Sequence, residues 1–245
     1  MPTQPTFGSP DTVLLSDEDA AVQVLEGAIL GLWDVVSQLT RLRRTSRTNY
    51  RVTIFGSARL EPETAAYADV KRLAAALTAM GCDIVTGGGP GLMRAANEGA
   101  ASAGATAGGR SVGIRVDLPF EQETNPFVGV AYEHRTFFSR LHHFILVSDA
   151  FVVTPGGVGT LLELSLAWQL LQVDRLANVP LVLVGPMWRA LVDWGRDFML
   201  APGHEIASAD DFTVPRCVDG IEDAVSLLQS HREGWLRARV PAGGA

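Results

Sequence analysis

Ser148-Asp-Ala-Phe-Val-Val-Thr-Pro-Gly-Gly-Val-Gly-Thr-Leu-Leu-Glu163 reads as a buried strand, a glycine turn and the start of a helix. Ala150 to Val153 are small, aromatic or β-branched, as a strand covered on both faces requires. Pro155 has no N–H to donate and stops the ladder. Gly156, Gly157 and Gly159 permit backbone angles and close approaches that a Cβ would block. Thr160 then opens an apolar helix from Leu161 to Leu171. Its free N–H groups and positive dipole end point into the turn, which suits a phosphate. Glu163 lies one turn inside the same helix. A carboxylate beside an anion site makes chemical sense if it faces the sugar attached to that phosphate. The bland alternative is a glycine turn with Glu163 complementing the dipole. Turn, Thr160 and Glu163 together favour the site.

Outward from this stretch, strands and helices alternate. Strands are expected at Tyr50–Phe55, Cys82–Thr86, Ser111–Val116, Val128–His134, Pro180–Val184 and Phe212–Val214. Helices are expected at Glu63–Met80, Leu92–Ala103, Thr136–Val147, Met187–Leu200 and Gly220–Leu228. This alternation predicts an α/β fold, a Rossmann-like doubly wound parallel sheet with helices on both faces. Such sheets bind ligands at the carboxyl ends of their strands. Two further turns fall there. Gly56-Ser57-Ala58-Arg59 follows the first strand, and Gly87-Gly-Gly-Pro-Gly-Leu-Met93 follows the second. The first is not Gly-x-Gly-x-x-Gly, so the usual dinucleotide fingerprint is missing. A long polar loop, Asp117 to Pro126, follows the third strand.

Four segments are expected: a loose tail over 1–15, an N-terminal helix and linker over 16–49, a catalytic domain over 50–231 and a C-terminal tail over 232–245. The N-terminal helix carries Val22, Leu25, Ile29, Leu30, Trp33, Val36 and Leu39 on one stripe. The 245 residues carry a net charge of -7, which argues against a nucleic-acid surface. Cys82 and Cys217 are too few for a disulfide framework and fit a reduced, cytoplasmic setting. Neither a signal peptide nor an apolar run long enough to span a bilayer is read in the chain. Lys71 is the only lysine, so lysine chemistry has one candidate, placed inside a helix and expected to be solvated. His142 and His143 are adjacent on a helix and point apart, which disfavours a shared metal. Asn97 and Glu98 read as surface or packing residues, and Arg140 could be an ordinary surface arginine.

Pro155-Gly-Gly-Val-Gly-Thr-Leu-Leu-Glu163 resembles the Pro-Gly-Gly-x-Gly-Thr-x-x-Glu signature of the LOG ("lonely guy") proteins. These are cytokinin riboside 5′-monophosphate phosphoribohydrolases and related nucleotide nucleosidases, often mislabelled lysine decarboxylases. Phe55-Gly-Ser-Ala-Arg59 and Gly87-Gly-Gly-Pro-Gly-Leu-Met93 resemble the family's first two loops. Leu118-Pro-Phe-Glu-Gln122 with Asn125 resembles the loop of its longer bacterial branch. The resemblance implies hydrolysis of a nucleoside 5′-monophosphate, such as AMP or a cytokinin nucleotide, to free base and ribose 5-phosphate. It implies Arg140 and Glu163 as the catalytic pair. Gly56, Ser57, Gly88, Gly89, Met93, Gly156, Gly157, Val158, Gly159 and Thr160 would bind substrate and phosphate. Glu121 best matches the substrate-binding glutamate, with Glu123 as the other choice. No cofactor or metal is implied, and the assembly would be a homodimer or a larger homo-oligomer. Two positions depart from the pattern: Leu141 stands where the family has Lys, and Leu162 where many members have an acid. The competing expectation is a non-catalytic nucleotide or molybdenum-cofactor carrier.

Overall fold

The computed structural model describes residues 18–20, 22–25, 27, 48–116, 123–176, 178–203 and 206–239. Contacts divide the chain into two units, Met1–Arg47 and Thr48–Ala245. In the first unit the described residues are helical, and Val22, Val24 and Leu25 are exposed. The rest of the expected N-terminal stripe, from Ile29 to Leu39, and the tail over 1–15 lie outside the described residues.

The second unit is built on seven strands: β1 Arg51–Phe55, β2 Asp83–Thr86, β3 Ser111–Val116, β4 Val130–His134, β5 Ala150–Val153, β6 Leu181–Val184 and β7 Pro215–Val218. All pair in parallel, in the order β4-β3-β2-β1-β5-β6-β7. The helices are α1 Ala65–Ala79, α2 Leu92–Ala107, α3 Phe137–Val147, α4 Val158–Gln172, α5 Pro186–Met199 and α6 Ile221–Arg237. Successive strand residues face opposite sides, so one strand feeds two cores. Val52 and Ile54 of β1, with Ala150 and Val152 of β5, pack with Leu73 of α1, Leu92 of α2 and Leu228 of α6. Phe55, Phe151 and Val153 pack on the other side with Phe144 of α3, Leu164 of α4 and Trp188 of α5. Burial on both faces explains why β5 and β6 carry no alternation of polar and apolar residues.

Two boundaries differ from the sequence reading. Phe212 to Val214 is not a strand: Ala209–Thr213 is a 3-10 helix, and β7 begins at Pro215. A local capping box overrides the β-branched composition there, with the Ser208 backbone N–H donating to Asp211 Oδ2 at 2.8 Å. Pro215 leads the outermost strand, where its missing N–H costs little. The last helix does not end at Leu228 but continues to Arg237, so residues 232–237 are helix rather than frayed tail. Long-range contacts hold it: Trp235 Nε1 donates to Asp149 Oδ1 at 3.2 Å, and its ring meets Tyr50 edge-on. No local pattern announces either contact. Smaller shifts occur at helix ends: α2 runs to Ala107, and α4 starts at Val158 instead of Thr160.

Trp188 ties the second core to the site. It is 2% exposed, and its Nε1 donates to Thr154 O at 3.0 Å, at the end of β5. Trp188→Phe keeps an aromatic ring but removes the indole N–H and leaves that carbonyl without its donor, so denaturant unfolding should show a loss of about 1–3 kcal/mol. An unchanged midpoint would show that the carbonyl is otherwise satisfied.

Candidate active site

The order of strands reverses between β1 and β5, and the turns leaving both strands meet there. Ser57 N donates to Pro155 O at 3.0 Å, and Ser57 O accepts from Leu92 N at 2.8 Å. The backbone of Ser57 therefore laces three turns together. It is a structural tie more than a free donor to substrate; its hydroxyl accepts from Arg59 N at 3.1 Å. A Cβ on Gly56 would run into Thr154 Oγ1 and Leu92, so this turn packs tightly on its neighbours.

The signature turn delivers a bare helix end. Gly157 is the N-cap of α4 and offers no side chain to the first-turn N–H groups. The amides of Val158, Gly159 and Thr160 are thus presented as donors, with the dipole behind them. None of Gly156, Gly157 and Gly159 has positive φ, contrary to the expectation that unusual backbone angles explain them. Gly156 is needed because a Cβ would strike Thr160, which folds back and is 5% exposed. Gly157 and Gly159 face open space. Val158 is exposed, so it can contribute its backbone while its side chain remains outside.

The second glycine turn supplies the opposite wall. Gly88 and Gly91 have φ of 74° and 64°, the left-handed region that favours glycine. A Cβ on Gly87 would collide with the Arg140 guanidinium and with Met93 Sδ, and one on Gly89 with Met93 Cε. Met93, in the first turn of α2, therefore lies over the loop, and Arg140 reaches across to it.

Arg140 and Glu163 come together in this cleft, Nη1 to Oε1 at 3.5 Å, each side chain 12% exposed. Arg140 sits in the first turn of α3, capped by Thr136, whose hydroxyl accepts from Ser139 N at 3.2 Å. Its Nε donates to Ile114 O at 2.9 Å, and its guanidinium lies 5.2 Å from the Phe144 ring centroid. It is thus a held, half-buried cation and not the ordinary surface arginine that was the plainer expectation. Burial pushes the Glu163 carboxyl up to about 7, although the nearby Arg140 charge pulls it down. His134, at the end of β4, has its pKa lowered by burial and then by the Arg140 charge.

A carboxyl raised on folding takes up protons that the unfolded chain releases. Stability is therefore highest below the unfolded value, 4.5, falls as pH rises toward about 7, and is level above it. At about 1.4 kcal/mol per pH unit, the loss attributable to Glu163 is roughly 3 kcal/mol. Glu163→Gln should remove this slope. Denaturant unfolding at pH 5 and pH 8 should show the wild type losing ground to the variant; a pH-independent difference would contradict the burial.

The remaining expected residues are less assembled. Glu121 lies outside the described residues, and Glu123 is exposed. Leu141 is 8% exposed, and Leu162 is exposed. Lys71 is not simply solvated: its Nζ is 2.7 Å from Glu98 Oε1, and Glu98 also accepts from Tyr67 at 2.7 Å. His143 Nδ1 meets His134 Nε2 at 2.9 Å, whereas His142 Nδ1 meets its own helix at Phe138 O. Among the described residues, no group of three or more His, Cys, Asp or Glu could hold a metal ion, and no helix is long and apolar enough to cross a membrane. Asn125 is the residue that sequence reasoning passed over. It appeared only as part of a loop motif, yet it is buried against the second glycine turn.

Fold and cleft define a doubly wound α/β protein with an uncapped helix N-terminus and an Arg–Glu pair at its switch point. The profile of the family described as "Possible lysine decarboxylase" matches residues 93–226, and the chain belongs to that family. Comparison with curated proteins gives no match. Among solved structures, the chain is similar to the molybdenum cofactor carrier protein of Chlamydomonas reinhardtii, at 19% identity and TM-score 0.55, over 76% of this chain and 99% of that one. It is also similar to the molybdenum cofactor binding protein of Rippkaea orientalis, at 18% identity and TM-score 0.56, over 76% and 98%. At these identities the likeness establishes the fold alone.

Proposed function

We propose that this protein hydrolyses the N-glycosidic bond of a nucleoside 5′-monophosphate, releasing free base and ribose 5-phosphate. The observation that carries the reading is the half-buried Arg140–Glu163 pair beside an uncapped α4 N-terminus. Breaking the C1′–N bond leaves its electron pair on the base and builds positive charge on the ribose, as in glycoside cleavage. The Val158, Gly159 and Thr160 amides grip the 5′-phosphate, and Arg140 adds a charge-assisted contact. Glu163, as carboxylate, stabilises the cationic sugar and takes a proton from the water whose oxygen bonds to C1′. That proton goes on to the departing base, so the net change is addition of water across the bond. With its carboxyl near 7, Glu163 can both accept and return a proton at neutral pH. The test is incubation with AMP, cytokinin nucleotides and pyrimidine nucleotides, with free base and ribose 5-phosphate resolved by chromatography.

A second reading, a non-catalytic carrier of a nucleotide or of molybdenum cofactor, is favoured by two observations. One structure named above is of a molybdenum cofactor carrier protein and the other of a molybdenum cofactor binding protein, and residue 141, next to Arg140, is Leu in place of the expected lysine. The carrier predicts tight binding with intact ligand recovered. Decarboxylation of lysine through a Schiff base needs a free lysine, and Lys71 of α1 is engaged by Glu98 of α2. The proposed assembly is a homodimer.

A further inference from the structure

A buried polar network underlies the second glycine turn. Asn125 is 6% exposed, and Asn97 and Thr86 are fully buried. The two N–H groups of Asn125 Nδ2 face three acceptors, one N–H being shared: Gly88 O at 3.1 Å, Gly89 O at 2.9 Å and Asn97 Oδ1 at 2.9 Å. The Asn125 backbone N–H also donates to Gly88 O, at 2.9 Å, and Asn125 Oδ1 accepts from Phe127 N at 3.2 Å. Thr86 Oγ1 donates to Asn97 Oδ1 at 2.7 Å and accepts from Gly88 N at 2.9 Å. Asn97 Nδ2 donates onward to Ser111 Oγ at 2.9 Å.

Apolar side chains would fill this space at lower desolvation cost, so the polar set is better explained by what it orients than by stability. In a planar trans peptide, C=O and N–H point in opposite directions. Asn125 draws the Gly88 carbonyl inward, so the Gly89 N–H faces away from the network. No described residue accepts from it. Gly89 packs on Met93, and Gly87, two residues earlier, packs on the Arg140 guanidinium. The outward amide therefore lies on the loop that the catalytic arginine touches.

We propose that Asn125 is a positioning residue, which clamps the Gly88 and Gly89 carbonyls so that the Gly89 amide is presented to an anionic oxygen of the substrate. This rests on the nucleotide reading of the cleft. Only an amide side chain supplies two N–H donors and an acceptor at this point; Asp cannot donate, and Ala or Leu remove the side-chain donor from Gly89 O and leave Gly88 O with the backbone N–H of residue 125 alone.

The test measures KM and kcat for AMP, and the Kd of AMP by calorimetry, for wild type, Asn125→Ala and Asn125→Ser. The expected result is a rise of about tenfold or more in KM and Kd for Ala, with kcat within about threefold, and a smaller rise for Ser. Ser keeps one donor and guards against failure of Ala to fold. A purely structural role lowers the active fraction and thus apparent kcat, leaving KM and Kd unmoved; that result overturns the clamp. If wild type binds AMP without turnover, Kd decides alone. If wild type neither binds nor hydrolyses AMP, the nucleotide reading and the clamp both fall.

Discussion

Glu163→Gln is expected to fold, to bind nucleoside 5′-monophosphate, and to release free base about 10²–10⁴-fold more slowly than wild type, the usual contribution of a positioned acid–base group. The amide is nearly isosteric and keeps hydrogen bonding to the ribose. It removes the negative charge that faces the developing cation and the site that accepts the water's proton. Binding should therefore survive while kcat collapses. The wild-type kcat/KM should rise with pH through about 7, because Glu163 must lose its proton to act. Steady-state rates across pH 5–9 check both statements. Normal turnover by the Gln variant would remove Glu163 from the chemistry.

Arg140→Ala is expected to lower kcat/KM by about 10²–10³-fold, through loss of a half-buried charged contact. The guanidinium is fixed by Ile114 O, Phe144 and the missing Cβ at Gly87, so its charge is aimed rather than merely present. Arg140→Lys restores the charge without the planar fork and should recover only part of the loss. A second consequence follows from electrostatics. Arg140 is what holds the Glu163 carboxyl down against burial. Without it the carboxyl rises, and the residual activity of Arg140→Ala should need a more alkaline pH than the wild type. An unshifted profile would mean that the two side chains do not interact as their 3.5 Å separation implies.

Much of this architecture was legible in local sequence. Ala150–Val153 and Leu181–Val184 read as strands because burial on both faces demands unbroken apolar residues. Pro155 through Glu163 read as a strand-to-helix turn because proline, glycine and a following apolar helix each leave a local mark. What depends on long-range partners was not legible. Trp235 looked like part of a tail because its anchors, Tyr50 and Asp149, lie far back in the chain. Phe212 looked like a strand residue because nothing local reveals its edge-on contact with Trp168. The glycines of the signature suggest positions of unusual backbone angle, yet positive φ falls instead on Gly88 and Gly91. Arg140 stood out by its spacing from Pro155 and by family resemblance; its seat on Ile114 O and Phe144 is a property of the folded sheet. Asn125 carried a motif letter but no visible reason, since its acceptors at Gly88 and Gly89 lie more than thirty residues away.

The most direct measurement is quantitative recovery after incubating purified protein with AMP. Adenine and ribose 5-phosphate are expected in equal amounts, formed in proportion to enzyme and lost in Glu163→Gln. AMP recovered intact from a protein that binds it would contradict hydrolysis and leave the carrier in its place.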